Sequence, residues 1–225
     1  MGKRGPEPKK KVLISWTPKM AYAVGLLTTD GCLSKDGRHI DFTSKDKDLI
    51  ETFKDCLGLT NKIGKKTSGY TNKKSSFRVQ FGDINFYKWL LKIGLTPHKS
   101  KSVGVLKIPD KVFFDFLRGC FDGDGTIFSY WDPRWHSSYM FYIQFVSASP
   151  PHLQWLEKTI NRLAGVSGKI NESKRAYQLV FAKKSSYILF RKMFYIEDIP
   201  FLERKHRKAI TIFKTDELHN HARVV

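Results

Sequence analysis

The chain has 225 residues, of which 41% are hydrophobic and 14% aromatic, so it can form a sizeable core in one large or two small domains. Its 40 lysines and arginines against 21 aspartates and glutamates give a net charge of +19, which favours a nucleic acid partner over a generic basic protein. Cys32, Cys56 and Cys120 lie far apart and show no zinc-site spacing. With no visible signal peptide or membrane span, they predict an intracellular, reducing compartment, either an organelle or a prokaryotic cytoplasm.

The first part of the chain is predicted to be an arm followed by three helices and four strands. A basic N-terminal arm over residues 1–16 is expected to be disordered or to become ordered on binding. The first half spans residues 17–98 and opens with a helix that Thr17 can cap and Pro18 can start. Alternation and turn residues then predict strands over 32–35, 39–44, 62–66 and 76–81, and helices over 46–57 and 85–93.

A linker over residues 99–110 leads to a second half over residues 111–213, which repeats the same order of elements. The segments Phe77–Phe81 and Tyr177–Phe181 have similar side-chain patterns, so we expect two pseudo-symmetric halves with an α+β fold, a pseudo-dimer in one chain. Residues 214–225 are predicted to form a polar C-terminal tail. The second half has predicted helices over 111–122, 150–163 and 185–195, and strands over 126–130, 139–147, 168–171 and 176–181.

Two apolar helical stretches end in the same dipeptide. Ala21–Gly31 and Asp115–Gly125 each carry small residues four positions apart and finish in Asp-Gly, with Asp30 and Asp124 at the ends. Small residues on one face allow two helices to pack closely, and this would bring two carboxylates to two negative helix ends. A divalent cation would relieve that repulsion. A single Asp-Gly could merely end a helix and start a hairpin, but two copies in so basic a chain favour a cation site.

These two stretches resemble the motif of the single-chain LAGLIDADG homing endonucleases. The nine motif residues correspond to Ala23–Gly31 and Leu117–Gly125, and the resemblance covers residues 17–213. It implies two αββαββα halves whose motif helices pack at the interface and whose antiparallel sheets form a saddle over double-stranded DNA. It also implies a monomeric endonuclease that cuts both strands across the minor groove, leaves short 3′ overhangs and uses Mg²⁺, or another divalent cation such as Mn²⁺ or Ca²⁺ in a bound structure.

The resemblance also implies roles for particular residues. Asp30 and Asp124 would bind the metals, with help from the backbone carbonyl groups of Thr29 and Gly123. A lysine of each half would organise the surrounding water. Lys99 and Lys205 occupy matching places for that role, with Lys101 and Lys208 as alternatives, and simple phosphate contact is the competing interpretation of each. Where the family often has an amide side chain, this sequence has Ser44 and Ser147, whose hydroxyl groups can still hold a water. Asp122 is expected to cap or support the site and not to bind metal.

Polar residues on the predicted strands and their loops are candidate DNA-binding residues. Arginine is expected to recognise guanine and glutamine adenine, whereas loop lysines more often contact phosphates. The solvated face of a sheet is the alternative explanation for each. The candidates are Ser34, Arg38, His39, Asp41, Thr43, Tyr70, Lys73, Arg78 and Gln80 in the first half, and Ser129, Arg134, Trp135, His136, Tyr142, Gln144, Lys169, Lys174, Arg175 and Gln178 in the second.

The sequence therefore favours a site-specific, intron-encoded DNA endonuclease. A catalytically inactive relative that acts as an RNA maturase or as a DNA-binding protein is the first alternative. A basic protein that binds nucleic acid without sequence preference is the second. The retention of an aspartate at the end of both motifs favours the enzyme.

Overall fold

The structure, a computed structural model of the chain, describes residues 10–67, 74–135 and 138–221. It is an α+β fold with two four-stranded antiparallel sheets, and each half follows the order helix, hairpin, helix, hairpin, helix. In the first half the elements are α1 Pro18–Thr29, β1 Gly31–Leu33, β2 His39–Ser44, α2 Lys47–Leu57, β3 Gly64–Thr67, β4 Lys74–Gly82 and α3 Ile84–Lys92. In the second half they are α4 Phe113–Gly123, β5 Thr126–Trp131, β6 Tyr139–Ser147, α5 Pro150–Ala164, β7 Lys169–Ser173, β8 Ala176–Ala182 and α6 Lys183–Met193, followed by α7 Glu203–His221.

Local sequence explains where several helices begin and end. The hydroxyl group of Thr17 accepts a hydrogen bond of 3.1 Å from the amide of Met20, which caps α1 as predicted. Gly58 ends α2 and Gly165 ends α5, and both adopt a left-handed backbone conformation that glycine allows at little cost.

The two sheets have the same strand order and the same register. The orders are β1-β2-β4-β3 and β5-β6-β8-β7, with every neighbouring pair antiparallel. Asp41 pairs with Gln80 in the first sheet, as Gln144 pairs with Val180 in the second, so positions in the two halves can be matched one to one. This agreement confirms the predicted pseudo-symmetry at the level of individual residues.

Each sheet has one face buried under helices and one open face. Along β6, Phe141, Ile143 and Phe145 are buried, whereas the residues between them are only half-buried. Alternate side chains of a strand point to opposite faces, so the intervening residues lie on the open face. The motif helix α1 is buried from Met20 to Thr28 and therefore lies in the centre of the protein.

The ends of the chain depart from the prediction. Residues 214–221 belong to α7 and not to a polar tail, because Phe213 and Ile212 are buried and anchor that helix in the second half. Residues 10–16 of the predicted arm pack on the first half. The amides of Lys11 and Val12 donate to Asp83, at 2.7 and 3.1 Å.

None of the helices described in the structure combines the length and the apolar character needed to cross a membrane.

Candidate DNA-cleavage site at the ends of the motif helices

The motif helices α1 and α4 touch backbone to backbone at two glycines. A methyl group on Gly25 would lie 2.2 Å from the carbonyl oxygen of Phe116, and one on Gly119 would lie 2.2 Å from the carbonyl oxygen of Tyr22. Both distances are far below van der Waals contact, so only glycine fits at either position. The predicted small-residue seam is confirmed, and it brings the ends of both helices together.

Asp30 and Asp124 are the residues immediately after these helix ends, and both are exposed. A methyl group on Gly123 would lie 3.2 Å from Oδ2 of Asp30 and 2.0 Å from the hydroxyl oxygen of Thr29. The end of the first motif helix therefore lies directly against the end of the second. Two carboxylates from opposite halves share one surface, as the sequence predicted.

The electrostatic environment of the two carboxylates is that of a shared anionic site. The helix ends crowd around the carboxyl group of Asp30, and this desolvation, reinforced by the negative charge of Asp124, raises its pKa to about 6. The neighbouring helix ends also partly desolvate the carboxyl group of Asp124, although the residue as a whole is exposed, and this raises its pKa. Lys205 and Lys99 oppose both shifts without cancelling them. When both carboxyl groups are ionised, the pair is a site where a cation would be favourable.

Lys99 and Lys205 lie beside this pair but are buried, with 7% and 8% of their surface exposed. The ammonium group of Lys99 donates to the carbonyl oxygens of Thr29 and Gly31, at 3.0 and 2.7 Å. Burial lowers the pKa of Lys99, despite the opposing effect of both aspartates. The side chain therefore places a positive charge on the negative end of α1.

Lys205 does the same for α4 with twice as many partners. Its ammonium group donates to the carbonyl oxygens of Phe121, Asp122, Gly123 and Gly125, at 2.6–2.8 Å. Burial lowers its pKa to about 8. The sequence predicted both lysines as candidate catalytic residues, and the structure adds that each one holds the backbone of a motif.

Asp122 is a third carboxylate at this end of α4, and it is buried. Its Oδ2 accepts hydrogen bonds from the hydroxyl group of Tyr22 at 2.7 Å and from the amide of Leu202 at 2.8 Å. Its Oδ1 has no partner in the described structure. Burial raises its pKa to about 6. Asp122 thus connects both motif helices to the segment before α7, in agreement with the supporting role predicted for it.

Two cavities of nearly equal volume flank the carboxylates. One, of about 400 Å³, is lined by Asp30, Asp124 and Ser44 among others. The other, of about 380 Å³, is lined by Asp124, Lys99 and Ser147 among others. The two serines are matched positions at the ends of β2 and β6, and each accepts a hydrogen bond of 3.1 Å from the amide two residues later. Their hydroxyl groups remain available as donors in the cavities.

The available oxygen atoms fit a hard divalent cation. Two carboxylates, with waters and substrate phosphates completing the shell, are a typical protein contribution to Mg²⁺ binding. The carbonyl oxygens of Thr29 and Gly123 each accept one lysine hydrogen bond, and a carbonyl oxygen has a second lone pair. Within the described part of the chain, no group of three or more histidine, cysteine, aspartate or glutamate side chains could hold a metal ion by itself. The residues therefore fit a cation held jointly with a phosphate.

The predicted DNA-binding residues of the first half mostly share the open face of the first sheet. His39 and Thr43 lie there on β2, and Gln80 lies there on β4. Asp41 binds the guanidinium group of Arg78 at 2.7 Å, which fixes the orientation of that arginine. Ser34 and Arg38 lie in the connection between β1 and β2, where the imidazole of His39 contacts both Asp36 and Arg38.

In the second half, the open face carries Tyr142, Gln144, Lys169 and Gln178. Ser129 was predicted to be on this face, but the structure places it on the opposite one. Its hydroxyl group accepts a hydrogen bond of 2.8 Å from Tyr139, because Ser129 follows the inward alternation that begins at Ile127. Exposed Lys174 and Arg175 form the turn between β7 and β8, and exposed Arg134 and Trp135 follow β5.

Three predicted DNA-binding residues, Tyr70, Lys73 and His136, lie outside the described residues. Conversely, sequence reasoning missed two sets of residues that the structure brings to these surfaces. Arg204 forms a bidentate ion pair with Asp46, at 2.8 and 2.7 Å, beside the cavity that contains Ser44. Phe128 and Tyr130 occupy the open face of β5, and the strand alternation read from Ile127 could have identified them.

Comparison with known proteins identifies this arrangement. Residues 17–94 match the family model of the LAGLIDADG-like domain. The fold of the whole chain is similar to that of the LAGLIDADG meganuclease I-AabMI bound to uncleaved DNA, at 14% identity over 92% of each chain with a TM-score of 0.61. The first half of the chain thus matches the LAGLIDADG-like domain, and the whole chain has the two-repeat fold of the LAGLIDADG structures. No curated protein sequence matches it significantly.

Two further LAGLIDADG structures show how widely the fold is used. I-DmoI in complex with DNA and Mn is 15% identical, with a TM-score of 0.51 over 80% of this chain and 98% of that one. The N-terminal LAGLIDADG domain of DUF199/WhiA is 14% identical, with a TM-score of 0.53 over 79% of this chain and 82% of that one. Because DUF199/WhiA and the homing endonucleases share this fold, the fold alone does not decide the function of the present protein, which has to be argued from its site.

Proposed function

We propose that this protein is a site-specific endonuclease of double-stranded DNA that works as a monomer with a divalent cation, Mg²⁺ in the cell. The observation that carries the proposal is the meeting of Asp30 and Asp124, one from each half, between two matched serine-lined cavities. Two half-sites related by an approximate two-fold axis suit the two strands of a duplex. Cutting across the minor groove with short 3′ overhangs is the outcome that the family resemblance supports.

In this proposal the chain supplies positioning and charge. A divalent cation held by Asp30 and Asp124 would activate a water and neutralise the charge that develops on the phosphate. Ser44 and Ser147 would each orient a water in one cavity through a hydroxyl group. Lys99 and Lys205 would keep the two motif ends fixed, so that little reorganisation is needed when the phosphate arrives.

A library of random duplexes tests this function directly. Wild-type protein with Mg²⁺ should release a discrete set of cleaved sequences, and EDTA should abolish their release. Asp30→Asn and Asp124→Asn should each lose cleavage while they retain specific binding in Ca²⁺. Asp48→Asn is the matched control, because it makes the same chemical change at an exposed carboxylate on α2. It should cut like wild type. Cleavage that persists in the Asp30→Asn/Asp124→Asn double variant would refute the enzyme.

A DNA-binding protein without nuclease activity is the second candidate, since the same fold occurs in DUF199/WhiA, which is not named as an endonuclease. For that candidate, wild-type protein would bind selected duplexes in Mg²⁺ without cutting, and both asparagine variants would bind as well as wild type. An RNA maturase would instead assist intron splicing equally in wild type and in the double variant. The two carboxylates at the seam, whose pKa values are raised, are better explained by the endonuclease, because binding alone does not require them.

A further inference from the structure

The open faces of the two sheets differ in chemistry at matched positions. The shared register identifies each pair of positions without adjustment, because both sheets pair their strands in the same way. At four matched pairs, a side chain that can form hydrogen bonds in the first half is replaced by an aromatic or aliphatic side chain in the second. The replaced pairs are Ser34 with Phe128, His39 with Tyr142, Thr43 with Val146, and Gln80 with Val180.

On the second sheet, the aromatic residues form an ordered cluster. The ring of Tyr142 stacks on Phe128 at 5.3 Å and on Tyr130 at 5.9 Å, with interplanar angles of 19° and 12°. Val146 and Val180 are half-buried on the same face, one and two strands inward from β5. We call Phe128, Tyr142, Val146 and Val180, with the adjoining Tyr130, the apolar plate. An apolar surface of this kind gains free energy when an apolar group covers it.

On the first sheet, the corresponding face presents polar atoms. Asp41 holds the guanidinium group of Arg78 at 2.7 Å, and Nε of Arg78 has no hydrogen-bond partner in the described structure. The hydroxyl group of Thr43 is likewise without a partner there, and both of these atoms are buried, whereas the side chain of Gln80 is exposed. The contrast with the second sheet therefore lies at Thr43 and Gln80, which correspond to Val146 and Val180. Asp41 and Arg78 correspond to Gln144 and Gln178, so those two positions are polar in both halves.

The charge around the apolar plate indicates which partner covers it. Lys169, Lys174 and Arg175 are exposed at the edge of the second sheet, and they suit the phosphates of a duplex. In the major groove, the C5 methyl of thymine is the one apolar group that distinguishes a base pair. Gln144 and Gln178 lie between members of the plate, and glutamine can form two hydrogen bonds with adenine.

We propose that the half-site bound by the second sheet is rich in A·T pairs and that its thymine methyl groups pack on the apolar plate, whereas the half-site bound by the first sheet is recognised by hydrogen bonds. This rests on the proposed function for its assumption that the open faces contact DNA. Each buried methyl should strengthen binding about three- to fourfold, the factor that corresponds to about 0.8 kcal/mol.

Replacing thymine by deoxyuracil tests the proposal, because the change removes only the methyl group. A binding selection on random duplexes in Ca²⁺ first supplies the target. Single deoxyuracil substitutions are then scored by the dissociation constant. In the second half-site, we expect several positions to lose about three- to fourfold each, and in the first half-site no comparable loss. Equal losses in both half-sites, or no loss in the second, would overturn the proposal.

Exchange variants locate the effect on the plate. Tyr142→His and Val180→Gln introduce the residues found at the matched positions of the first sheet. Each variant should abolish the penalty for deoxyuracil at one or two positions of the second half-site. His39→Tyr is the reciprocal change and should leave those penalties intact. Penalties unchanged in both plate variants would show that the plate does not contact the methyl groups.

The outcomes separate this proposal from the function on which it rests. Failure to select any duplex sequence would overturn both. Specific binding without cleavage would refute the endonuclease and leave the methyl test in force, because that test measures binding alone. Specific binding and cleavage without methyl discrimination would overturn only the apolar plate. A plate covered by a second copy of the chain would appear as a dimer that Tyr142→His dissociates, and it would likewise overturn the proposal.

Discussion

The two motif helices form one seam, but their surroundings are opposite in character. At the matched positions, α1 has Ala21, Val24 and Thr28, whereas α4 has Asp115, Arg118 and Asp122, all of them buried. Thr28 satisfies its hydroxyl group within its own helix, by donating to the carbonyl oxygen four residues earlier at 2.8 Å. The first half thus supports the seam by apolar packing.

The second half supports the seam by a buried polar network. Arg118 is fully buried and binds Asp115 at 2.7 Å, and it also donates to the carbonyl oxygens of Met193 at 2.6 Å and Pro200 at 2.8 Å. Asp122 accepts from the amide of Leu202. The segment that precedes α7 is therefore tied to α4. The two motif ends are thus arranged symmetrically, although the side chains that pack behind the two motif helices are different.

Removing the centre of the network should give the largest effect. Arg118→Met leaves Asp115 as a buried charge without its cation, so we expect the free energy of unfolding in urea to fall by about 3–5 kcal/mol. The Asp115→Leu/Arg118→Met double variant removes both charges and should recover part of that loss. A loss below about 1 kcal/mol for Arg118→Met would show that the network does not support the fold.

Removing Lys205 should destabilise the protein more than removing Lys99. Lys205→Met leaves four carbonyl oxygens without their donor, and Lys99→Met leaves two. We expect losses of about 3 and about 1.5 kcal/mol in the same urea experiment. Exposed Lys101→Met is the matched control and should change stability little. Equal losses for the two buried lysines would contradict the asymmetry.

The seam itself should respond equally from both sides. Gly25→Ala and Gly119→Ala each place a methyl group 2.2 Å from a carbonyl oxygen of the facing helix. Each should therefore cost about 2 kcal/mol by overpacking. Gly104→Ala adds a methyl group in open space and serves as the control. A large difference between the two seam variants, measured by thermal unfolding, would show that the close approach is not shared.

The smallest expected difference between the two halves is in the pH dependence of stability. His152 is buried beside one cavity, at the position matched by Leu49 beside the other, and burial lowers its pKa. In the unfolded chain its pKa is about 6.5. The unfolded state therefore binds the proton first, and stability is lost as pH falls from 7 to 5. His152→Leu should reduce the resulting fall in melting temperature by about 2–4 °C. An unchanged slope would exclude His152 as the cause.

Much of this architecture could be predicted because it depends on local patterns. Alternation in β6 and the paired small residues of the motifs are periodic signals, and the structure confirms both. The partners of Lys99 and Lys205 could not be predicted in this way, because they lie 68–84 residues away along the chain. The contribution of each lysine therefore depends on tertiary structure.

Two predictions from the sequence were wrong for similar physical reasons. The helix α7 continues through polar residues after Phe213, because tertiary packing of its buried side chains outweighs the weak local pattern. Ser129 was assigned to the open face by its polarity, although strand alternation from Ile127 directs it inward. In both cases, geometry decides the position and composition does not.

The most direct test of the shared cation site is anomalous diffraction from crystals of the protein with its selected duplex and Mn²⁺. The account predicts an anomalous peak about 2 Å from carboxylate oxygens of both Asp30 and Asp124, in contact with a phosphate of the DNA. The peak should disappear in the Asp30→Asn/Asp124→Asn variant. Duplex bound in the crystal with no peak at these two carboxylates, or with the peak elsewhere, would contradict the account.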